Sequence, residues 1–225
     1  MTDRATIIPE LAVIDRPAAA EMLTRVFGFA EGDGMLRLGS QALALVQAEG
    51  TAGHGKIDHL ALSVADVDAT LAALLSRGAR LESTTPDGPR EIAEFWGTGV
   101  RYVFLTGPEG ARIELCARRG GGAAGTTGHD HIGIPCTDIA ASEAFFRDLG
   151  LVPLAAVDLV RPEGVTHVRF LRHGDSVVEL YGPPDLRGKG APFAENALWR
   201  GLRVAGTGLP KGERIGPDRL RVTLI

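Results

Sequence analysis

The chain has 225 residues, 44% hydrophobic and 23% charged, which is enough apolar material for one large or two small domains. The formal net charge is −4 and Lys and Arg are scattered, which argues against nucleic acid or an anionic membrane surface and favours a small-molecule partner. No apolar stretch is long enough to span a membrane, MTDRATIIPE lacks signal-peptide features, and Cys116 and Cys136 are too few for a disulfide framework, so a cytoplasmic protein with reduced thiols is expected.

Three segments share one pattern, in which a short alternating strand runs into a helix that stops at glycine. They run from Glu10 to Gly28, from His59 to Gly78 and from His131 to Gly150. Each is followed by strand-like runs broken by turn residues, which predict hairpins. A helix packed on a small sheet of this kind is an α+β unit, so the sequence predicts repeated βαβββ modules.

In chain order, the predicted organisation is a degenerate module at 1–50, a module at 57–118, a Gly-rich linker at 119–128, a module at 129–184 and a tail or partial module at 185–225. Helix caps support it, because Asp66 precedes the second helix and Thr137 or Asp138 precedes the third. The tail has two strand-like runs and no helix. It fits either a fragment of a fourth module or a clasp around the others.

Strand alternation sorts the polar side chains by face. In the second module the apolar residues point toward the helix, which leaves His59 and Glu114 on the cavity face, and the third module repeats this with His131 and Glu179. If the modules are related by a pseudo-two-fold axis, the four side chains surround one point. A lone strand His is more often structural and a lone strand Glu more often solvated, but the symmetry of the set favours a metal site. Two imidazoles and two carboxylates suit divalent Zn, Ni, Co, Mn or Fe.

Two residues compete with this set or depart from it. His129 lies on the same face as His131, but alignment with His59 through the helix-terminating glycines selects His131. In the first copy, Glu10 stands where the two histidines stand and Ala44 stands where the Glu would be. A second metal site is therefore not expected there, and Glu10 is expected to be solvated.

Three further residues are candidate substrate contacts. His167 and Arg169 alternate with apolar residues and are predicted to face the cavity, with Arg101 opposite. Arginine suits a substrate carboxylate or phosphate, although a cross-strand ion pair with a neighbouring Glu is its commoner role. An aromatic content of only 5% argues against a stacking pocket for a large planar ligand.

At this point the chain resembles the vicinal oxygen chelate superfamily, which includes glyoxalase I, methylmalonyl-CoA epimerase, extradiol dioxygenases and fosfomycin or bleomycin resistance proteins. The resemblance covers 57–184 well and 7–49 weakly, and it rests on His59 in IDHLALSV, Glu114 in GPEGARIELC, His131 in HDHIGIPCTD and Glu179 in SVVELYG. It implies paired βαβββ modules that form a cup-shaped sheet around a divalent metal, to which two vicinal substrate oxygens bind. The site then forms either within one chain or between the chains of a homodimer.

Three functions agree with this resemblance. The favoured one is a glyoxalase-type isomerase, epimerase or lyase that acts through an enediolate-type intermediate, with Glu179 or Glu114 as general base. The second is an extradiol dioxygenase using His59, His131 and Glu179, although Phe104 stands near the position of the Tyr in the dioxygenase signature and Glu114 crowds the site. The third is a non-catalytic binding protein of the resistance type.

Overall fold

The computed structural model describes residues 5–119, 128–189 and 196–225. Within these ranges the chain is an α+β fold of two curled sheets with three α-helices, which confirms the predicted fold class. Most of the predicted linker at 119–128, and residues 190–195 of the predicted tail, lie outside the described ranges. No helix in the described ranges is both long and apolar enough to cross a membrane.

The elements in chain order are β1 (Thr6–Val13), α1 (Arg16–Arg25), β2 (Ala30–Gly32), β3 (Met35–Leu38), β4 (Gln41–Gln47), β5 (His59–Ser63), α2 (Val67–Ser76), β6 (Arg90–Ile92), β7 (Val100–Thr106), β8 (Arg112–Arg118), β9 (Gly128–Pro135), α3 (Ile139–Asp148), β10 (Val152–Arg161), β11 (Gly164–His173), β12 (Ser176–Gly182), β13 (Trp199–Ala205), β14 (Gly212–Ile215) and β15 (Arg221–Leu224).

All three helices begin in the same way. The side chain of an N-cap aspartate accepts a hydrogen bond of 3.0 Å from a backbone N–H in the first turn, and these aspartates are Asp15, Asp66 and Asp138. Such a cap stabilises a helix by about 1 kcal/mol. Glycines with positive φ follow the helices at Gly28, Gly78 and Gly150, where a side chain would be strained. Of the two caps considered for the third helix, Asp138 is the one used.

The larger sheet has eight strands in the order β10-β11-β12-β9-β5-β8-β7-β6. Its two halves contain the strands of the segments predicted at 57–118 and 129–184. The first strands of the halves, β5 and β9, run antiparallel at the centre, and each lies parallel to the last strand of its own half. This arrangement brings the four strands that carry the candidate metal ligands side by side.

The smaller sheet has seven strands in the order β14-β15-β13-β1-β4-β3-β2. Strand β13 pairs antiparallel with β1 and parallel with β15, which repeats the pairing around β5 in the larger sheet. No helix separates β13 from β14. The tail strands therefore extend the sheet that the strands of the first predicted module begin.

One apolar core lies between the helices and the sheets and joins both sheets. It contains fully buried residues of the smaller sheet, such as Leu11 and Val204, together with Leu60, Ile113 and Leu180 of the larger one. The opposite face of the eight-stranded sheet has a smaller, separate cluster that includes Phe95 and Phe170. Within the described ranges no α-helix packs on that second face, which forms the wall of a cavity.

Candidate metal centre

Four side chains meet at the centre of the eight-stranded sheet: His59 on β5, Glu114 on β8, His131 on β9 and Glu179 on β12. The Nε2 atoms of His59 and His131 lie 3.1 Å apart. Glu114 Oε2 lies 3.0 Å from Nε2 of His59 and 3.4 Å from that of His131. Glu179 Oε2 lies 3.3 Å from His131 Nε2 and 3.9 Å from His59 Nε2. All four side chains are buried and belong to one chain.

The strand register explains why the two halves contribute equivalent ligands. Glu114 lies opposite Ala61, two residues after His59. Glu179 lies opposite Gly133, which is likewise two residues after the histidine of its own half. Because both halves use the same offset, a pseudo-two-fold axis between β5 and β9 superposes one His/Glu pair on the other.

Gly133 provides the space for the ring of His59. The two residues face each other across β5 and β9. A Cβ atom at residue 133 would lie 2.1 Å from Cε1 and 2.4 Å from Nε2 of that ring, so a larger residue would displace it. The sequence reasoning missed Gly133, and its only signal is a glycine in HIGIP where the second module has alanine in HLALS.

An aspartate contacts the Nδ1 atom of each imidazole, on the side of the ring away from the cluster. Nδ1 of His59 lies 2.8 Å from Asp58, and Nδ1 of His131 lies 2.9 Å from Asp130. A carboxylate on Nδ1 fixes the ring orientation and leaves Nε2 as the atom that faces the centre, an arrangement common around metal-binding histidines. The sequence reasoning missed both aspartates, although the dipeptide Asp-His recurs in the two modules.

Arg112 ties this outer layer to the rest of the second module. Its guanidinium donates to Asp58 and, at 3.1 Å, to Glu82. Burial alone would raise the pKa of Asp58, but the hydrogen bonds and charges of His59 and Arg112 hold this pKa well below its usual range. Asp58 is therefore ionised and keeps its hydrogen bond to His59 over the whole physiological pH range.

The cluster attracts positive charge. Burial opposes a charged imidazole, yet Asp58 and Glu114 raise the pKa of His59 to about 9. Burial also opposes the charged form of His131, but nearby carboxylates, chiefly Glu179, raise its pKa well above the usual value. Burial would raise the pKa of Glu114, whereas the two imidazoles lower it to about 2. Two nitrogen donors with carboxylate oxygens among excess negative charge fit a borderline divalent ion.

A cavity of about 300 Å³ opens directly onto the cluster. Both tyrosines of the chain, one of its two tryptophans and three of its eight phenylalanines line it. The six aromatic residues are Phe95, Trp96, Tyr102, Phe104, Phe170 and Tyr181. The low aromatic content argued against a stacking pocket for a large planar ligand, and this cavity is small. The fold still gathers half of the Phe, Tyr and Trp rings of the chain around this one site.

The three predicted substrate contacts do not line this cavity, and their predicted placement is corrected. Arg169 and His167 both contact Asp158, at 3.2 and 2.9 Å. Arg101 donates to Asp68 of α2 at 2.6 and 2.7 Å and to Glu91. The alternation along the strands was right but the chosen face was wrong, because the apolar residues of β7 and β11 face the cavity.

Glu10 also departs from its prediction. It is 9% exposed rather than solvated, and it accepts a 2.6 Å hydrogen bond from Arg203 Nε. Glu10 lies opposite Ala44, so it corresponds to Gly133 and not to the histidines. With Ala44 at the carboxylate position, Ile8 lies at the histidine position, two residues before Glu10.

His129, the competitor of His131, lies away from the cluster. The register of β5 and β9 shifts by one residue between His131 and His129, so the two side chains point in different directions. His129 lies next to Phe29, with the ring centroids 6.1 Å apart, and burial lowers its pKa to about 4. The choice of His131 from the helix alignment agrees with this geometry.

Comparison with known proteins yields one family and several structural neighbours. The family model described as Glyoxalase/Bleomycin resistance protein/Dioxygenase superfamily matches residues 8–115 and 128–209. No curated protein sequence gives a match. Glyoxalase I from Zea mays superposes with a TM-score of 0.73 at 16% identity, covering 99% of this chain and 92% of that chain. A putative dioxygenase from Bacillus subtilis subsp. subtilis str. 168 gives 0.59 at 11% identity, covering 96% and 83%. Such identities establish the fold and not the reaction.

Proposed function

This chain belongs to the Glyoxalase/Bleomycin resistance protein/Dioxygenase superfamily, and from that premise we propose that it is a metal-dependent, glyoxalase-type isomerase, epimerase or lyase. Its substrate is a small oxygenated molecule that loses a proton next to a carbonyl group, through an enediolate-type intermediate. The observation that carries the proposal is the approach of two carboxylates, Glu114 and Glu179, to two imidazoles in one buried cluster.

His59, His131, Glu114 and Glu179 are the residues that would hold the divalent ion, since their donor atoms converge. Such an ion supplies Lewis acidity toward adjacent oxygens of a substrate. The chain contributes orientation, because aspartates fix both imidazole rings from behind. It also contributes a dry setting, since the apolar cavity wall excludes water and strengthens the electrostatic interactions inside.

Glu179 is the better candidate for the general base. Glu114 Oε2 lies close to both imidazole nitrogens, at 3.0 and 3.4 Å, which holds it in place. Glu179 Oε2 makes one such approach at 3.3 Å and a longer one at 3.9 Å to His59. A less constrained carboxylate at the cavity floor can turn toward a substrate C–H bond and accept its proton.

One observation favours a second candidate, the extradiol-type dioxygenase. The ligand atoms of His59, His131 and Glu179 all lie within 4.8 Å of one another, which is the residue set of a two-His-one-carboxylate iron site. In that reaction Glu114 is dispensable as a ligand, whereas in the proton-transfer reaction it helps to hold the metal. Glu114→Ala therefore separates the two candidates.

Metal content is the first test of the proposal. After incubation with Zn, Ni, Co or Mn, elemental analysis is expected to find about one ion per chain, lost in His131→Ala and Glu179→Ala. His167→Ala and Glu143→Ala are matched controls that should keep the ion, because neither residue lines the cavity. No metal in the wild-type protein would contradict the proposal and favour the non-catalytic binding protein.

Proton transfer is the second test. In heavy water, the metal-loaded protein should exchange the C–H next to the carbonyl of small α-hydroxy ketones or aldehydes, followed by proton NMR. Glu179→Gln should slow this exchange by about 10²- to 10⁴-fold. Oxygen uptake with catechols on the iron-loaded protein, retained in Glu114→Ala, would instead support the dioxygenase.

A further inference from the structure

We propose that the cavity selects a compact, uncharged substrate with a planar ring, and that Trp96 is the platform on which this ring stacks. This substrate class rests on the proposed function, because the vicinal oxygens of the substrate are taken to face the His/Glu cluster. Trp96 thereby gains a specificity-determining role.

Aromatic rings form two walls of the cavity. On one wall the ring centroids of Trp96 and Phe95 lie 4.8 and 5.4 Å from that of Phe170. On the other wall, Tyr102 and Phe104 pack edge to face with centroids 5.7 Å apart. A planar ring bound in a cavity lined by these residues gains favourable ring contacts.

The indole of Trp96 is held in place before any ligand arrives. Its backbone has φ 56° and ψ 18°, a left-handed conformation that bulky residues rarely adopt and that persists where the surroundings impose it. The guanidinium of Arg118 covers the indole at 3.9 Å from the ring centroid. An ion pair of 2.7 Å between Glu94 and Arg161 ties the Trp96 loop to β10. A ring fixed in this way loses little conformational freedom when a ligand stacks on it.

Charge around the cavity disfavours anionic substrates. Four carboxylates line it, those of Asp58, Glu114, Asp130 and Glu179. Among the described lining residues, Arg112 is the only Lys or Arg. Its terminal nitrogens already donate to Asp58 and Glu82, and its Nε is buried from solvent. A divalent ion would offset two of the four negative charges, so a substrate carboxylate or phosphate would still meet excess negative charge.

The small volume of the cavity also favours a compact substrate. At about 300 Å³ it lies at the small end of ligand pockets. Its side walls away from the cluster are apolar and include Ile92, Leu159 and Val168. These walls suit a hydrophobic ring, and the lining away from the cluster contains no Lys or Arg among the described residues to pair with the anionic portion of a glutathione or coenzyme A conjugate.

Two matched pairs of probes test this substrate class by calorimetric titration of the metal-loaded full chain. Benzohydroxamate and acetohydroxamate present the same two oxygens and differ in the ring. Benzohydroxamate is expected to bind about tenfold more tightly. Catechol and its disulfonate differ in charge, and the disulfonate is expected to bind at least about tenfold more weakly.

Variants of Trp96 test the platform. In Trp96→Leu the ratio of the dissociation constants of acetohydroxamate and benzohydroxamate should fall close to one, while acetohydroxamate binds as in the wild type. Trp96→Phe keeps a ring and should retain most of the preference. This variant shows that a lost preference in Trp96→Leu comes from the missing ring and not from disturbed folding at this residue. Phe145→Leu is the matched control, because Phe145 lies on α3 and does not line the cavity.

The outcomes separate this inference from the proposed function. Equal binding of the two hydroxamates by the wild type, or tight binding of the disulfonate, would overturn the substrate class, and an unchanged preference in Trp96→Leu would overturn the platform. A protein that holds no metal overturns the proposed function. The platform is still tested in that case, because para-nitrobenzyl alcohol should quench the tryptophan fluorescence of the wild type. It should not quench that of Trp96→Phe, in which Trp199 is the remaining tryptophan. No difference in quenching between the two proteins would overturn the platform.

Discussion

The substitution Gly133→Ala tests the assembled site without touching any proposed ligand. The added Cβ would lie 2.1 and 2.4 Å from two atoms of the His59 ring, which is shorter than the nonbonded contacts that Cβ atoms make. The ring must therefore turn away, and with it His59 Nε2 leaves the cluster and the hydrogen bond to Asp58 breaks. Loss of such an oriented imidazole is expected to weaken metal binding by at least about 100-fold, or about 2.7 kcal/mol.

The same substitution has a predictable effect on the metal-free protein. The backbone at residue 133 lies outside the left-handed region, so an alanine without steric conflict would stabilise the fold by about 0.4–1 kcal/mol. Overpacking against His59 acts in the opposite direction and costs about 1–3 kcal/mol. We therefore expect a lower free energy of unfolding, measured by urea denaturation in the presence of a chelator.

Gly182→Ala is the matched control for this experiment. Gly182 also lies in a strand, and a Cβ there would meet its nearest atoms at 3.6 Å, an ordinary contact. Metal affinity in both variants can be measured by competition with a chromophoric chelator. The steric reasoning fails if Gly133→Ala binds metal within about twofold of the wild type, or if both variants lose affinity equally.

Three further predictions concern the outer layer, the smaller sheet and pH. Asp130→Asn should weaken metal binding by about 10- to 100-fold in the same competition assay. Asp158→Asn, whose carboxylate contacts the half-buried His167, should leave it unchanged, and equal effects of the two substitutions would argue against an orienting role of Asp130. Arg203→Met leaves the buried Glu10 carboxylate without this partner and should lower the free energy of unfolding by about 1 kcal/mol, with metal content unchanged; an unaltered denaturation midpoint would contradict it. The raised pKa of His59 makes the folded, metal-free protein retain a proton that the unfolded chain loses, so its melting temperature should fall between pH 6.5 and about 9, and a flat profile would refute this.

Local sequence patterns alone predicted the order of strands and helices in the modules and the four candidate metal ligands. The strand, helix and glycine order of the modules follows from apolar spacing, aspartate caps and positive-φ glycines, all of which act within a few residues. Alternation along a strand also placed His59 and Glu114 on one face, as it did His131 and Glu179. Because the pattern occurs twice, the sequence predicted the set of four residues that the structure brings together.

Tertiary structure decided the features that depend on curvature and on pairing between distant strands. Alternation divides a strand into two faces but does not say which face the curled sheet turns toward a cavity, so Arg101, His167 and Arg169 were assigned to the wrong side. The ion pair of Glu10 with Arg203 depends on a strand almost two hundred residues away that no local pattern aligns. The space that Gly133 leaves for an imidazole likewise arises only when the halves of the sheet are in register. The same holds for the aromatic lining of the cavity, which comes from three separate strands and a loop, because side-chain contacts across strands depend on how the whole chain packs.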